Sequence, residues 1–488
     1  MNPVSGDVST AASIMDKIME INGAVNAFVW GAPVLILLVG TGVWLTLVLG
    51  LPQLRYLFAT FGEVFGFKRK AGAADNSISS FAAMATAMAA TVGTGNVAGV
   101  ATALHLGGPG ALVWMLISAF FGMCTKFSEV TLAVHFRKKD AHGDWRGGTM
   151  YILEHGLGDR GGMWKVIGKI LAIAFALFAF MASFGIGAAT QANSSAEALS
   201  MGFGIDHLHS GIALAVLVAL VIVGGLKSLS TVTTYLVPFM AVFYIVGSII
   251  VLVMNAAHIP EAVSTAVNLA FNNPAETLPG ALAGWAVKEA VQRGIARGVF
   301  SNEAGMGSAP MVHATANVDH PVQQGFYGIF EVFMDTIVIC TMTALVIMTT
   351  GALTDYEQLT GAQLTLQAFE VALGPTGKFV LSIGLLLFAF TTILGWYWYA
   401  ETAATYLVGV WFKPVMKLLW IAMIVIGAAG AQFVGSEGSH FLANIWDISD
   451  TLNGLMALPN LIGLLLLSFT LRGLVKDYDA KKRSGELK

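Results

Sequence analysis

The fold class this chain predicts is all-α: a polytopic membrane protein of about eleven transmembrane helices. Three observations predict it. Apolar runs of about twenty residues recur along the 488 positions. Hydrophobic residues make up 56% of the chain and charged ones 11%, with a mean hydropathy of +0.73. Two of the apolar runs are interrupted near their middles by glycine clusters, Thr91-Val-Gly-Thr-Gly-Asn96 and Phe300-Ser-Asn-Glu-Ala-Gly-Met-Gly307.

Residues 9–22 have the pattern of an amphipathic surface helix, and the segment before residue 29 lacks the basic start, short apolar core and cleavage site of a removable signal. The spans then fall at 29–51, 78–104, 109–136, 166–190, 211–226, 233–255, 282–315, 325–350, 379–408, 416–434 and 447–475. Setting the first aside as an accessory leaves two sets of five, each opening with an interrupted span. Five is odd, so the second set enters the membrane inverted relative to the first. The expected organisation is an N-terminal segment over 1–77, a first five-helix repeat over 78–255, a second over 256–475 and a tail over 476–488.

Orientation follows from the basic residues, because loops rich in Lys and Arg stay in the cytoplasm. Arg55, Lys68, Arg69, Lys70, Arg137, Lys138, Lys139, Arg146, Arg160, Lys165, Lys227, Lys413, Lys417, Lys476, Lys481, Lys482 and Arg483 fall on one side; loops 191–210, 256–280 and 435–446 contain no Lys or Arg. The N-terminus is therefore expected outside and the C-terminus in the cytoplasm. Lys288, Arg293 and Arg297 depart from the rule, since they lie in the outward half of span seven. Intramembrane arginine faces a partner or a water-filled cavity: a salt bridge with Glu289 or a neighbouring helix is one reading, and an outer gate is the other. Asp447 and Asp450, at the outward start of span eleven, are candidate partners for Arg293 and Arg297 in such a gate.

In hydrocarbon an unpaired N–H or C=O costs several kcal/mol, so a helix unwinds only where protein or ligand takes up the freed groups. Gly93 and Gly95 permit a break, and Thr94 and Asn96 set polar side chains beside it. Ser301, Asn302, Gly305, Gly307 and Ser308 repeat the arrangement in the second half. Freed carbonyls suit a hard cation such as sodium, and the N-terminal end of the following half-helix suits a carboxylate. Small residues such as Gly95 and Gly99 also serve plain helix packing, but two breaks at corresponding places favour a carrier. Glu303, inside the second break, is expected to lock the unwound backbone, to bind a cation or to pair with an arginine. Asp335, about ten residues into span eight, is either a cation- or proton-coupling group or the partner of a lysine such as Lys126. Thr391 and Thr392 in span nine either bond back to their own helix or complete a sodium shell, and Trp396 packs or walls a substrate cavity.

The strings Thr91-Val-Gly-Thr-Gly-Asn-Val-Ala-Gly-Val-Ala-Thr102, Gly107-Gly-Pro-Gly-Ala111, Gln191-Ala-Asn-Ser194, Ser301-Asn-Glu-Ala-Gly-Met-Gly-Ser-Ala-Pro310, Thr391-Thr-Ile-Leu-Gly-Trp396 and Trp446 to Asn460 closely resemble the alanine or glycine:cation symporter family of prokaryotes. The resemblance covers nearly the whole chain. It implies a leucine-transporter-type fold of the amino acid-polyamine-organocation superfamily, in a cell membrane, with sodium-coupled uptake of alanine or glycine and no cofactor beyond the coupling ion Na+. Carried over by motif, substrate would meet Thr94, Gly95, Asn96, Ser301, Asn302 and Gly305, with Gln191 and Trp396 closing the pocket. Sodium would meet backbone oxygens near Ala89 and Val92 and the hydroxyls of Thr391 and Thr392. Two departures stand out: Gly148-Thr-Met150 where Gly-Pro-Met is expected, and Ala188, close to Gln191, where Asn is frequent.

Other classes fit less well. No His-Glu-x-x-His string or nucleophile–base pair suggests an intramembrane enzyme, the two cysteines, Cys124 and Cys340, have no metal-ligand spacing, and no basic stripe suggests nucleic acid. A proton-coupled carrier using Asp335 or Glu303 is the alternative, and a channel is a more distant one.

Overall fold

The computed structural model describes residues 4–66, 77–140, 143–272 and 287–487, with side chains throughout except at 4–14 and 431–443. The basic residues Lys68 to Lys70 and the start of span seven lie outside the described residues.

The chain is helical nearly throughout, as its apolar runs require once no water is available to backbone groups. Among the described residues seven helices are long and apolar enough to cross a membrane, or nine if two bent pairs each count as one; His207–Val223 is a shorter apolar helix. Several boundaries differ from the expected ones. Span one is the end of a longer segment, Met15–Leu49, and the expected surface helix falls within the helix Val4–Val29 that leads into it. Span four continues as far as Phe203, so most of the expected loop 191–210 is helix, ended by the left-handed Gly204. The expected loop 435–446 is helical too: Lys413–Leu466 is one element, and this stretch contains no proline to remove a backbone donor. Beyond Leu466 the chain bends by 60° into Ser468–Ser484.

Both expected breaks are present. Ser80–Thr91 and the segment Thr94–Gly107 meet at 59°. Val287–Asn302 stops before Glu303, and Pro310–His313 resumes after a non-helical stretch. Between them runs Gly110–His135, against which glycines of several helices close down. A Cβ at Gly294 would lie 2.4 Å from the Ala111 carbonyl, one at Gly298 2.4 Å from Ser118 Oγ, and one at Gly325 2.4 Å from Thr131 Oγ1. Small residues at crossings let membrane helices touch through backbone and dispersion, the forces left when lipid is as apolar as leucine.

The face carrying Arg55, Arg137 and Lys481, here the basic face, is closed by main chain. Ile78 and Ser79 pair in parallel with Ala316 and Asn317, joining the entrance of the first broken helix to the exit of the second. Arg137 Nη1 donates to the carbonyls of Ala314 (3.0 Å) and Ala316 (2.5 Å). The final helix adds a clasp, with Asp479 accepting from Arg55 and, at 2.7 Å, from the Tyr56 hydroxyl.

Pro375–Val408 crosses the first broken helix at Gly395, where an added Cβ would lie 2.7 to 2.9 Å from the backbone and Cβ of Ala90. Gly395→Ala is therefore expected to cost about 1 to 3 kcal/mol. Gly40→Ala, with nothing within 4 Å of the added carbon, should be neutral or slightly stabilising. Thermal unfolding of the two variants in detergent, followed by intrinsic fluorescence, checks the contrast.

Candidate functional site: two broken helices around a polar core

At the first break Gly93 is extended (φ −134°, ψ −159°), a conformation open to any residue; glycine is required because a Cβ would lie 2.5 Å from Thr392 Oγ1. Several of the freed groups find partners within the protein. Gly93 N–H donates to Asn96 Oδ1 (2.9 Å). The carbonyls of Asn96 and Val97 accept from the hydroxyls of Thr343 (2.8 Å) and Thr365 (3.2 Å). Thr94 Oγ1 donates to Gln191 Oε1 (3.1 Å), and the Gln191 amide donates to the Ile186 carbonyl (3.2 Å), within the π-helical turn Ser183–Ala189.

The second break turns through left-handed backbone at Glu303 (φ 54°), Gly305 (φ 93°) and Gly307 (φ 81°). Glu129, on Gly110–His135, accepts at one oxygen from Gly305 N–H (3.0 Å), Gly307 N–H (3.1 Å) and Asn460 Nδ2 (2.6 Å). Asn460 also donates to the Gly305 carbonyl (2.9 Å), and Thr149 Oγ1 donates to that of Gly307 (2.9 Å). Asn302 Oδ1 accepts from Ala304 N–H (2.9 Å). Glu303 accepts from the Ser308 hydroxyl five residues on, within the break itself.

Asp335 binds the two breaks together. Its Oδ1 accepts from Asn96 Nδ2 (2.5 Å), and its Oδ2 accepts from Ser301 Oγ (2.9 Å) and Thr336 Oγ1 (2.7 Å), while Asn302 Nδ2 donates to Thr336 Oγ1 (3.0 Å). It sits in a π-helical turn, Phe333–Cys340, and such turns re-aim side chains at functional sites. A carboxylate given three donors tolerates a dry interior. Lys126 is not its partner: the lysine lies 3.8 Å from Glu331, one turn earlier.

A cavity of about 480 Å³ opens away from the basic face, with Thr94, Gly95, Gln191, Arg297, Phe300 and Asp450 in its wall. Beneath it lies a gap of about 20 Å³, bordered by Gly93, Gly95, Gln191, Ser301, Thr392 and Trp396 and roomy enough for about one water. Of the expected substrate residues, Thr94, Gly95, Gln191, Ser301 and Trp396 border this cavity or gap. Asn96, Asn302 and Gly305 turn into the bonds that hold the breaks.

The two threonines diverge. Thr391 Oγ1 bonds back to the carbonyls of Leu387 and Phe388 (3.0 Å each) and touches Met240 Sδ at 3.2 Å. Thr392 Oγ1 is buried beside Gly93 and has no hydrogen-bond partner among the described residues. Ala89 and Val92 are fully buried on the first broken helix. In the outer set, Arg293, Arg297 and Asp450 share one cavity wall, and Arg297, Asp447 and Asp450 share the next. Among the described residues no ion pair within 4.0 Å joins these arginines to these aspartates. The Arg297 guanidinium lies over the Phe300 ring at 4.9 Å, and Asp450 accepts from Asn26 Nδ2 (3.0 Å).

Glu129, Asn460, Phe300 and Asn453 went unassigned at the sequence level. Glu129 carried a usable signal, since it is a carboxylate in the middle of an apolar span. Asn453 Oδ1 is buried without a partner and Asn453 borders the gap.

Residues 15–488 match the model of the sodium:alanine symporter family. A sodium/alanine symporter of Methanococcus maripaludis is 47% identical over 456 residues, which are 93% of this chain and 95% of that one. An uncharacterized transporter of Haemophilus influenzae is 45% identical over 94% of this chain and 96% of its own. Among solved structures, a Na+-coupled sialic acid symporter in a substrate-bound outward-open state superposes with a TM-score of 0.55 over 86% of each chain, at 14% identity. That likeness is one of fold, the leucine-transporter type with a broken first helix in each repeat.

Because Asp335 receives only donors, Asp335→Asn sets an NH₂ group against one of them. The variant is expected to lose transport by more than about tenfold, since hydrogen bonds to a charged group are worth about 1.5 to 3 kcal/mol each. Initial uptake rates at matched protein amounts in proteoliposomes check this.

Proposed function

The chain belongs to the sodium:alanine symporter family, and from that premise we propose that it takes up alanine or glycine coupled to sodium, by alternating access. Secondary active symport by a multi-pass membrane protein, with no enzymatic step, follows from the family itself. The finer assignment rests on one observation above the others: the buried, unpartnered hydroxyl of Thr392 beside the unwound Gly93. A hydroxyl oxygen left without a donor at a broken helix suits a hard cation. Backbone oxygens near Ala89 and Val92 would complete its shell, with Thr391 a weaker contributor because its hydroxyl is already engaged.

Substrate would enter from the open cavity and settle against Thr94, Gly95, Gln191 and Ser301, with Trp396 limiting the length of its side chain. In this proposal Asn96, Asn302 and Gly305 act through the breaks they hold. Glu303 serves as a lock within the second break, consistent with its bond from Ser308. Asp335, whose carboxylate accepts from Asn96, Ser301 and Thr336, is better suited to joining the breaks than to carrying a proton, which favours sodium over the proton-coupled alternative. The cavity's direction, with the loop charges, supports an outward-facing state in which Arg293 and Arg297 stand apart from Asp447 and Asp450. Their approach would close the vestibule.

Two outcomes are expected. Thr392→Ala should raise the sodium concentration for half-maximal uptake severalfold, with Thr391→Ala shifting it less. Equal dependence in both variants and the parent chain would remove Thr392 from the ion site. In competition assays against labelled alanine, glycine should displace the label and leucine should not, because overfilling a packed site costs about 1 to 3 kcal/mol.

A further inference from the structure

A second polar cluster lies between the second break and the basic face, and neither substrate nor sodium uses it in the reading above. His313, Gln324, Lys126 and Glu331 are each at most 1% exposed. His313 Nε2 is bonded to a Glu331 carboxylate oxygen, and its Nδ1 is 2.8 Å from Gln324 Nε2. The same Gln324 amide donates to the Ser80 carbonyl (3.3 Å). Ser80 opens the first broken helix, directly after the Ile78–Ser79 strand that pairs with Ala316–Asn317. Four buried atoms here have no hydrogen-bond partner among the described residues: Lys126 Nζ, Glu129 Oε2, Glu331 Oε2 and Gln324 Oε1.

Charge in this cluster does not balance. Facing the pair are Lys126 and Glu129 from Gly110–His135, Glu303 from the break, Tyr399 from Pro375–Val408, and Asp335 one turn along the helix of Glu331. Three glutamates surround one lysine. A further metal cation would meet the Lys126 ammonium, so the cation that fits is a proton.

We propose that His313 is a proton-binding site whose occupancy sets how firmly the basic face is closed. With His313 neutral, Nε2–H donates to Glu331 and Nδ1 accepts from Gln324, whose other N–H holds the Ser80 carbonyl. A proton arriving from water goes onto Nδ1 and leaves an imidazolium paired with the Glu331 carboxylate. Nδ1–H then confronts the Gln324 N–H, donor against donor. The Gln324 amide turns to present Oε1, which has no partner to lose, and in turning it withdraws from Ser80. Acid on this side therefore loosens the strand pairing and favours opening toward it.

The test is hydrogen–deuterium exchange of full-length protein in proteoliposomes at about pH 6 and about pH 8. Peptides covering 77–81 and 314–318 are followed, with rates corrected for the chemical pH dependence by those of the unfolded peptides. Wild type should exchange severalfold faster in acid after correction, and His313→Asn, which does not titrate, should show no such difference. Gln324→Met should exchange fast at both pH values. Equal corrected rates in wild type overturn the proposal, as does a His313→Asn protein that keeps the wild-type response. Should that variant fail to fold, the wild-type comparison and Gln324→Met decide alone.

Discussion

Everything in this molecule answers to one constraint: a helix opened inside hydrocarbon must find a partner for each backbone group it releases. Two helices are opened here, and the partners come from elsewhere in the chain. Thr343 and Thr365 cover carbonyls of the first break, while Glu129, Asn460 and Thr149 cover the second. Asp335 reaches both. The cost of unwinding at each break is thus offset in large part by side chains from distant parts of the chain, Thr343 and Thr365 for the first and Glu129 and Thr149 for the second, so neither break stands independently. The unbroken helix Gly110–His135 packs against both, and the glycines at its crossings leave little room for larger side chains.

The site is also uneven along the membrane normal. Away from the basic face the walls carry charge held apart, with Arg297 resting on an aromatic ring and Asp450 on an amide. Toward the basic face the two broken helices are tied by backbone pairing, by Arg137 on two carbonyls and by the clasp of the final helix on Arg55 and Tyr56. On one side charged groups stand apart on other partners, and on the other the two broken helices are joined largely by main-chain bonds.

Local chemistry was readable from the sequence, and partnership was not. Glycine clusters announced both breaks, and for Gly305 and Gly307 the reason was the expected one, a left-handed backbone. For Gly93 the reason differed, since its backbone is ordinary and the close approach of Thr392 excludes a side chain. The strained turn belongs instead to Glu303, a residue whose type gives no hint of it. Asp335 stood out as an intramembrane carboxylate, but its bond to Asn96 spans 239 positions of sequence. No periodicity reports such a contact. Lys126 was the obvious counter-ion by charge alone and pairs with Glu331. The helix through 435–446 was missed because glycine and serine lower helix propensity without forbidding a helix, and continuity with the flanking turns outweighs them.

The strand pairing at the basic face involves only Ile78 and Ser79 against Ala316 and Asn317. Backbone hydrogen bonds are worth about 0.5 to 1.5 kcal/mol each when water can replace them, so a two-residue ladder is a shallow trap. Its strength sets a dwell time. A longer ladder would hold the face shut against a greater fraction of thermal fluctuations and slow each cycle, whereas none would let the face leak while the opposite side stands open. A latch this short opens at small cost, and its side chains serve the neighbouring structure as well: Ser79 Oγ caps the first broken helix at Ala82 N–H, while Ile78 and Ala316 are buried.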